Sequence, residues 1–182
     1  DLANWGFRPG WAKPGGPAPI NARMESLASN GMFRGAFSGQ RCLVPMSGYF
    51  EWTDEPDGKQ PHYIPGAATL AAAGLYAARK EGDEWKISFT IATREATDAS
   101  GQVHDRMPVI LSGAAIDTWL DPDVAEPASL EPLLVPRPDG EMKRTSVSPR
   151  VNSVRHEGPE CIAPAEPITE EPPPPQLSFD LG

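Results

Sequence analysis

Cysteine is scarce in this chain of 182 residues, which contains only Cys42 and Cys161. The two are far apart and lack the spacing of metal ligands, which argues against a zinc site and against a disulfide-rich secreted domain. One structural disulfide stays open as an alternative, but two reduced thiols in a cytoplasmic protein fit the pattern better. We expect neither a metal nor another cofactor.

Long apolar runs are also missing. No apolar stretch reaches the roughly 18 residues that a membrane helix needs, and no signal peptide opens the chain. No Ser or Thr stands in a nucleophile-elbow pattern, and no glycine-rich phosphate loop occurs. The sequence therefore predicts no membrane association and gives no support to a serine hydrolase of that type or to a P-loop protein.

Proline, by contrast, is abundant, with 22 residues that are densest after Asp121. The run at 172–175 favours extended polyproline or disorder. The 39% of hydrophobic residues suits one domain with a core of its own. We predict a folded domain over residues 1–164 and a Pro-rich flexible tail over residues 165–182.

The net charge of -9 disfavours nucleic acid at first sight, because phosphate binding needs clustered Lys and Arg. The charge is unevenly distributed, however. Residues 1–52 carry five basic and three acidic side chains, a local +2, whereas residues 121–182 carry twelve acidic and five basic ones, a local -7. Local potential steers a polyanion more than the total does, so a nucleic-acid site in the first third stays open.

Strand signals dominate the middle of the chain. Residues 41–52 favour a strand that bends or bulges near Pro45 and Gly48. Residues 69–78 predict a buried strand. Residues 85–93 alternate in period two, which predicts a strand whose apolar face is turned to the core; that face comprises Trp85, Ile87, Phe89 and Ile91.

Helical character is limited to two short stretches, one beginning at Asn21 and one over residues 113–120. Residues 33–40 favour a connecting turn. Several strands, two short helices and no strand–helix alternation predict an α+β domain with a predominantly antiparallel, barrel-like sheet.

Glu51 is the first candidate for chemistry, because Phe50 and Trp52 flank it. A poorly solvated carboxylate has a raised pKa and can carry protons near neutrality. The alternative is a carboxylate at a strand end that faces solvent, which is the usual place for Glu. His104, beside Asp105, is either a proton carrier or part of a surface hydrogen-bond cluster. Residue types alone leave an unassigned acid/base pair.

A series of short motifs in one order adds a family resemblance. Together the motifs resemble the SRAP family, the SOS response-associated peptidases or abasic-site processing proteins, from Trp5 to about Pro164. They read WGFRPGW, INARMES, RCLVPMSGYFEW, AGLY, FTIATREA, VHDRMPVIL and VSPRVNSV. The resemblance implies a DNA-damage (SOS response) protein that binds single-stranded DNA and captures abasic sites.

The resemblance also implies a chemistry. In that family a terminal cysteine, exposed by removal of the initiator methionine or by autopeptidase cleavage of a propeptide, attacks the sugar aldehyde. A thiazolidine, a covalent protein–DNA linkage, results. By motif, Asn21 would orient the cysteine and the sugar, although it also suits the N-cap of a helix. Glu51 would be the general acid/base, and His104 would assist proton transfer and crosslink reversal. The implied enzyme class combines protease (hydrolase) and lyase-like activities.

Four further residues would bind the DNA if the resemblance holds. Arg23 would contact phosphate, and Arg106 and Thr93 would hold the backbone near the site. Trp11 would stack on a base beside the lesion, a contact worth about 1–3 kcal/mol. Such a protein is expected in the cytoplasm, associated with the nucleoid.

The family's nucleophile is the main departure. The chain begins with Asp1, and Cys42 is no substitute because it lies inside an apolar strand and has no free α-amine. We expect a fragment of a longer gene product, so these residues alone should not form a thiazolidine. A non-catalytic module for single-stranded DNA is the main alternative, and a small-substrate hydrolase that shares the fold is a weaker one.

The tail contains one more motif. Gln176, Leu177, Phe179 and Leu181 follow a proline spacer and resemble the short motifs by which bacterial repair proteins bind the sliding clamp. The alternative is a disordered end with chance hydrophobic residues.

Overall fold

A computed structural model describes residues 2–56, 58–96, 103–134 and 143–165. The clamp-like motif and all of the predicted tail except Ala165 lie outside these residues, so both remain predictions. In the described part no helix is long and apolar enough to cross a membrane.

The described part of the chain contains eight strands. They are β1 (Ala3–Trp5), β2 (Asn21–Arg23), β3 (Arg41–Glu55), β4 (Gly58–Glu81), β5 (Glu84–Glu95), β6 (Arg106–Pro108), β7 (Ile110–Leu111) and β8 (Thr145–Ser146). The helices are short: α1 (Arg34–Gly39), α2 (Ala114–Leu120) and α3 (Pro127–Leu130), with 3-10 turns at Met24–Ser26, Glu131–Leu134, Pro149–Asn152 and Pro159–Cys161.

All eight strands belong to one curled, half-barrel sheet whose main order is β1-β5-β4-β3. The long hairpins β3–β4 and β4–β5 are antiparallel, whereas β1 and β2 add to β5 in parallel. The predicted α+β class with a predominantly antiparallel, barrel-like sheet is confirmed. The predicted bend in β3 is present as a register shift between Met46 and Gly48.

The segment that carries His104 and Arg106 enters the sheet where β4 and β5 diverge. β6 pairs with the end of β5, and β7 pairs with β4. Between them, Val109 N–H donates to the Ala92 carbonyl, and Val109 C=O accepts from Ala73 N–H. This insertion brings the residues before β6 to the same end of the sheet as β2.

The hydrophobic core lies on one face of the sheet, between that face and the helices. Phe37 of α1 and Trp119 of α2 are fully buried there, together with Leu130 and Leu134. On β5 the buried face consists of Ser88, Thr90 and Ala92. The prediction that Trp85, Ile87, Phe89 and Ile91 form the core-facing side of this strand was therefore wrong. Of these four residues only Ile91 is buried, and Trp85 is 68% exposed.

Two local predictions near the amino terminus were also wrong. Asn21 does not begin a helix; it begins β2, whose backbone pairs in parallel with β5. Residues of the predicted turn at 33–40 form α1, which buries Ala36 and Phe37. In both cases contacts distant in sequence outweigh local propensity, which is a weak preference of less than about 1 kcal/mol per residue.

The register shift in β3 depends on a glycine. A Cβ on Gly48 would lie 2.5 Å from the Ile64 carbonyl oxygen and 2.6 Å from the Tyr63 ring. Because a backbone oxygen cannot move cheaply, we expect Gly48→Ala to lower the free energy of unfolding by about 1–3 kcal/mol. Urea denaturation followed by circular dichroism measures this. Gly35→Ala is the matched control, since nothing lies within 4 Å of that Cβ; an equal loss in both variants would contradict the explanation.

Candidate active site and nucleic-acid interface

A cleft of about 740 Å³ opens on the face of the sheet opposite the core. β2, β3, β5 and the segment leading into β6 contribute its walls. Six of the seven predicted site residues line it: Asn21, Arg23, Glu51, Thr93, His104 and Arg106. The sequence motifs thus come from four separate parts of the chain to one place.

Trp11, the seventh, does not line this cleft. It lies in the turn after Pro9 and is 64% exposed. Trp5 takes a place in the cleft wall instead, where its ring stacks on Phe89 at a centroid distance of 6.4 Å and an interplanar angle of 7°. Its indole N–H donates to the Ile20 carbonyl at 2.8 Å. Stacking of Trp11 on a base stays a prediction, and Trp5 is a site residue that sequence reasoning missed.

Glu51 is half-buried on β3, where it lines the cleft between its neighbours Phe50 and Trp52. Burial raises the pKa of the Glu51 carboxyl above its ordinary value of 4.5, while the nearby His104 lowers the pKa and Asp105 raises it. The raised pKa that its aromatic neighbours predicted is therefore present. A carboxyl with this environment is suited to accept and return a proton.

His104 stands half-exposed beside this carboxyl, held by its Nδ1 atom. Nδ1 accepts a hydrogen bond from the Arg106 backbone N–H at 3.0 Å, which leaves Nε2 for a ligand. When Nδ1 carries a proton it can donate instead to Asp105 Oδ1, which is 3.1 Å away. The ring therefore has a partner in either protonation state, as proton transfer requires.

Arg106 ties three walls of the cleft together. Its guanidinium donates to both carboxylate oxygens of Glu25, at 2.7 and 2.9 Å, and to the Thr93 carbonyl at 2.6 Å. The hydrogen bond from Arg106 is the main reason that the pKa of Glu25 lies below its ordinary value. Because the guanidinium of Arg106 is already hydrogen-bonded, a DNA phosphate that binds there would have to share the guanidinium with Glu25 or displace the Glu25 carboxylate.

Arg23 differs from Arg106 in this respect. It ends β2 on the cleft wall and is exposed, and among the described residues its guanidinium makes no ion pair or hydrogen bond. The charge of Arg23 helps to lower the pKa of Glu25, but an arginine whose guanidinium makes no hydrogen bond can receive a phosphate without breaking one.

A further contact that the sequence motifs did not assign fixes the wall next to Glu51. Trp52 Nε1 donates to Asn152 Oδ1 at 2.6 Å, and Asn152 Nδ2 donates to the Lys59 carbonyl at 3.3 Å. Asn152 lies in the motif VSPRVNSV, so the motif marked the segment without showing its partner. This bond holds the Trp52 ring at the cleft.

Cys42 does not supply a nucleophile in this arrangement. Burial raises the pKa of its thiol to about 11, so the thiolate is scarce at neutral pH. Cys42 and Cys161 are both free cysteines. Across the described ranges no group of three or more His, Cys, Asp or Glu side chains could hold a metal ion.

The curled sheet and its cleft define a class: a sheet protein whose open groove is lined by a carboxylate, a histidine, arginines and aromatic rings. Comparison with known proteins identifies the family. The family model of SRAP, SOS response associated peptidase, matches residues 1–154, and the chain belongs to this family.

Several characterised relatives are similar to the chain. The chicken abasic site processing protein HMCES is 32% identical over 191 residues, covering 89% of this chain and 56% of that protein. YoqW of Bacillus subtilis is 34% identical, covering 87% and 73%, and YedK of Escherichia coli is 33% identical, covering 90% and 74%. Both are also called abasic site processing proteins. The chain thus spans little more than half of the chicken protein.

Solved structures agree with the sheet architecture. A crystal structure of a protein from Bacteroides thetaiotaomicron superimposes with a TM-score of 0.77 at 27% identity, covering 90% of this chain and 76% of that one. A phage-related protein from Bordetella bronchiseptica gives a TM-score of 0.66 at 31% identity.

Proposed function

We propose that this domain belongs to a protein that captures abasic sites in single-stranded DNA and forms a covalent protein–DNA linkage with them. The observation that carries the proposal is the half-buried Glu51 carboxyl with a raised pKa in the same cleft as His104 and Asn21. The family and the names of its relatives supply the substrate class.

The reaction that fits this cleft is condensation of a terminal cysteine with the sugar aldehyde of the abasic site. The α-amine adds to the carbonyl carbon, water leaves to give an imine, and the thiol then adds to the imine carbon. A thiazolidine and one water result, with no change in oxidation state. In the proposed reaction the cysteine is the amino-terminal residue of the mature gene product.

Proton transfer is the contribution of the chain's own residues. Ring opening of the sugar, loss of water and thiol addition each move a proton, and a carboxyl with a raised pKa can both take and return one. His104 Nε2 offers a second site for transfer, and the Asn21 side chain, exposed at the start of β2, can orient the carbinol oxygen. Autopeptidase removal of a propeptide would use the same carboxyl.

DNA binding is supported by the rest of the cleft. Trp5, Phe50 and Trp52 offer rings against which bases can stack, and Arg23 can receive a phosphate. An open cleft of this kind admits an unpaired strand whose bases are free to turn toward the wall. These features need no covalent step, so a non-catalytic binding module is the second candidate.

The decisive experiment uses the gene product with its natural amino terminus and single-stranded DNA that bears one abasic site. We expect a heat-stable band shift on a denaturing gel, absent when the terminal cysteine is replaced by serine. DNA with an intact base at the same position is the matched control. Reversible binding without a covalent band would support the non-catalytic binding module instead. If the protein neither binds the DNA nor forms a covalent band, both candidates are rejected.

A further inference from the structure

A line of exposed and half-buried side chains leaves the cleft along β5 and runs toward the β4–β5 turn. We call it the outer row; its members are Trp5, Phe89, Ile87, Trp85 and Lys80. Pairing places Trp5 of β1 beside Phe89 and Lys80 of β4 directly opposite Trp85. Directly paired residues share a face of the sheet, and alternation puts residues 85, 87 and 89 on the same face.

Trp85 is the far end of this row and is 68% exposed. From Ile91, which lines the cleft, to Trp85 is six residues, or about 20 Å at roughly 3.3 Å per residue. The apolar alternation of β5 thus does not serve the core, which is packed by the opposite face. It forms a surface that continues the cleft.

The charged residues near Trp85 are divided between the two faces of the β4–β5 hairpin, because side chains alternate along each strand. Arg79 pairs with Glu81 and Lys86 pairs with Glu84, and these four residues lie on the face away from Trp85. Lys80 remains on the Trp85 face, exposed, and within the described residues its ammonium makes no ion pair. A ring beside an unpaired cation suits a base and its phosphate.

We propose that the outer row is a second base-stacking platform for the single-stranded DNA that extends from the cleft, with Trp85 stacking on a base and Lys80 contacting a phosphate. This inference rests on the proposed function, because it requires a strand in the cleft. A protein partner fits less well, because a specific protein interface buries roughly 1,000 Å² or more and involves about 20–30 residues a side, whereas the outer row comprises five side chains.

The test is reversible binding by this chain to fluorescent oligonucleotides without an abasic site, measured by anisotropy. Short oligomers that fill only the cleft are compared with oligomers extended at the 5′ or the 3′ end. We expect Trp85→Ala to weaken binding of the oligomers extended on one side about 5- to 10-fold, the low end of a base–aromatic stack, and to leave short oligomers unchanged. Trp85→Phe should retain most of the affinity.

A second variant tests the cation. Lys80→Gln should reduce the salt dependence of binding to the extended oligomer by about one phosphate contact. Lys143→Gln, an exposed lysine distant from β5 in sequence, is the control. Equal affinity of Trp85→Ala and wild type for every oligomer would overturn the platform, as would an equal loss for short and long ones. If the wild type binds no oligomer at all, the proposed function fails together with the platform. If the wild type binds but Trp85→Ala has no effect, only the platform fails.

Discussion

Glu51→Gln should abolish most of the proposed covalent capture of abasic DNA while making the folded protein more stable at neutral pH. Removal of a general acid/base typically slows a reaction by about 10²–10⁴-fold. Band-shift kinetics on a denaturing gel, with the natural amino terminus present, measure the rate. Glu55→Gln, at the exposed end of the same strand, is the control and should react at the wild-type rate.

The stability effect has a defined sign. Because burial raises the pKa of Glu51 above 4.5, the folded protein binds this proton more tightly than the unfolded chain does. In the wild type, the contribution of Glu51 to the free energy of unfolding is complete below pH 4.5. It falls as the pH rises through the raised pKa of Glu51 in the folded protein. Gln keeps the shape without the ionisation, so its advantage should be present at pH 7 and disappear below pH 4.

Thermal unfolding of wild type and Glu51→Gln at several pH values between 3.5 and 8 checks this. A constant difference in melting temperature across that range would show that the gain comes from packing rather than from ionisation. A Gln variant that is less stable than wild type at pH 7 would contradict a desolvated carboxylate at this position.

Arg41→Met should strongly destabilise the helix-covered side of the domain. Arg41 is only 8% exposed, and its guanidinium donates to carbonyl oxygens of Phe37 and Ser38 in α1, of Trp119 in α2, and of Asp121 just after α2. It also lies 5.8 Å from the Trp119 ring centre.

One planar cation thus joins the carboxyl ends of two short helices to the start of β3. Carbonyls at a helix end have no partner within the helix, and a cation there is favourable. Methionine would leave them buried without donors, which we expect to cost about 3–5 kcal/mol, because hydrogen bonds to a charged group contribute about 1.5–3 kcal/mol each and desolvation of the guanidinium offsets part of their sum.

Urea denaturation measures this loss as a lower midpoint with little change in slope. Arg34→Met, an exposed arginine at the start of α1, is the control and should stay within about 0.5 kcal/mol of wild type. Arg41→Lys should recover little, because one ammonium cannot span both helix ends. A lysine variant as stable as wild type would show that charge alone is sufficient.

Much of the site was predictable because its chemistry is local. Glu51 lies in an apolar strand segment, so a poorly solvated carboxyl could be expected from the sequence, and burial does raise its pKa. The motifs around Asn21, His104 and Arg106 pointed to residues that the fold brings together, since six of the seven predicted residues line one cleft. The ion pair between Arg106 and Glu25 could not be predicted, because the two residues lie 81 positions apart in the sequence.

The sequence by itself determined the strand character of β3, of β5 and of part of β4, the bend at Gly48 and the acid/base candidates, since each depends on residues within a few positions of one another. Only the tertiary structure decided which face of β5 is buried, that Asn21 joins the sheet, and that Arg41 links two helices. Periodicity shows that a strand has two unlike faces, but which of them packs against helices depends on partners far away in the chain.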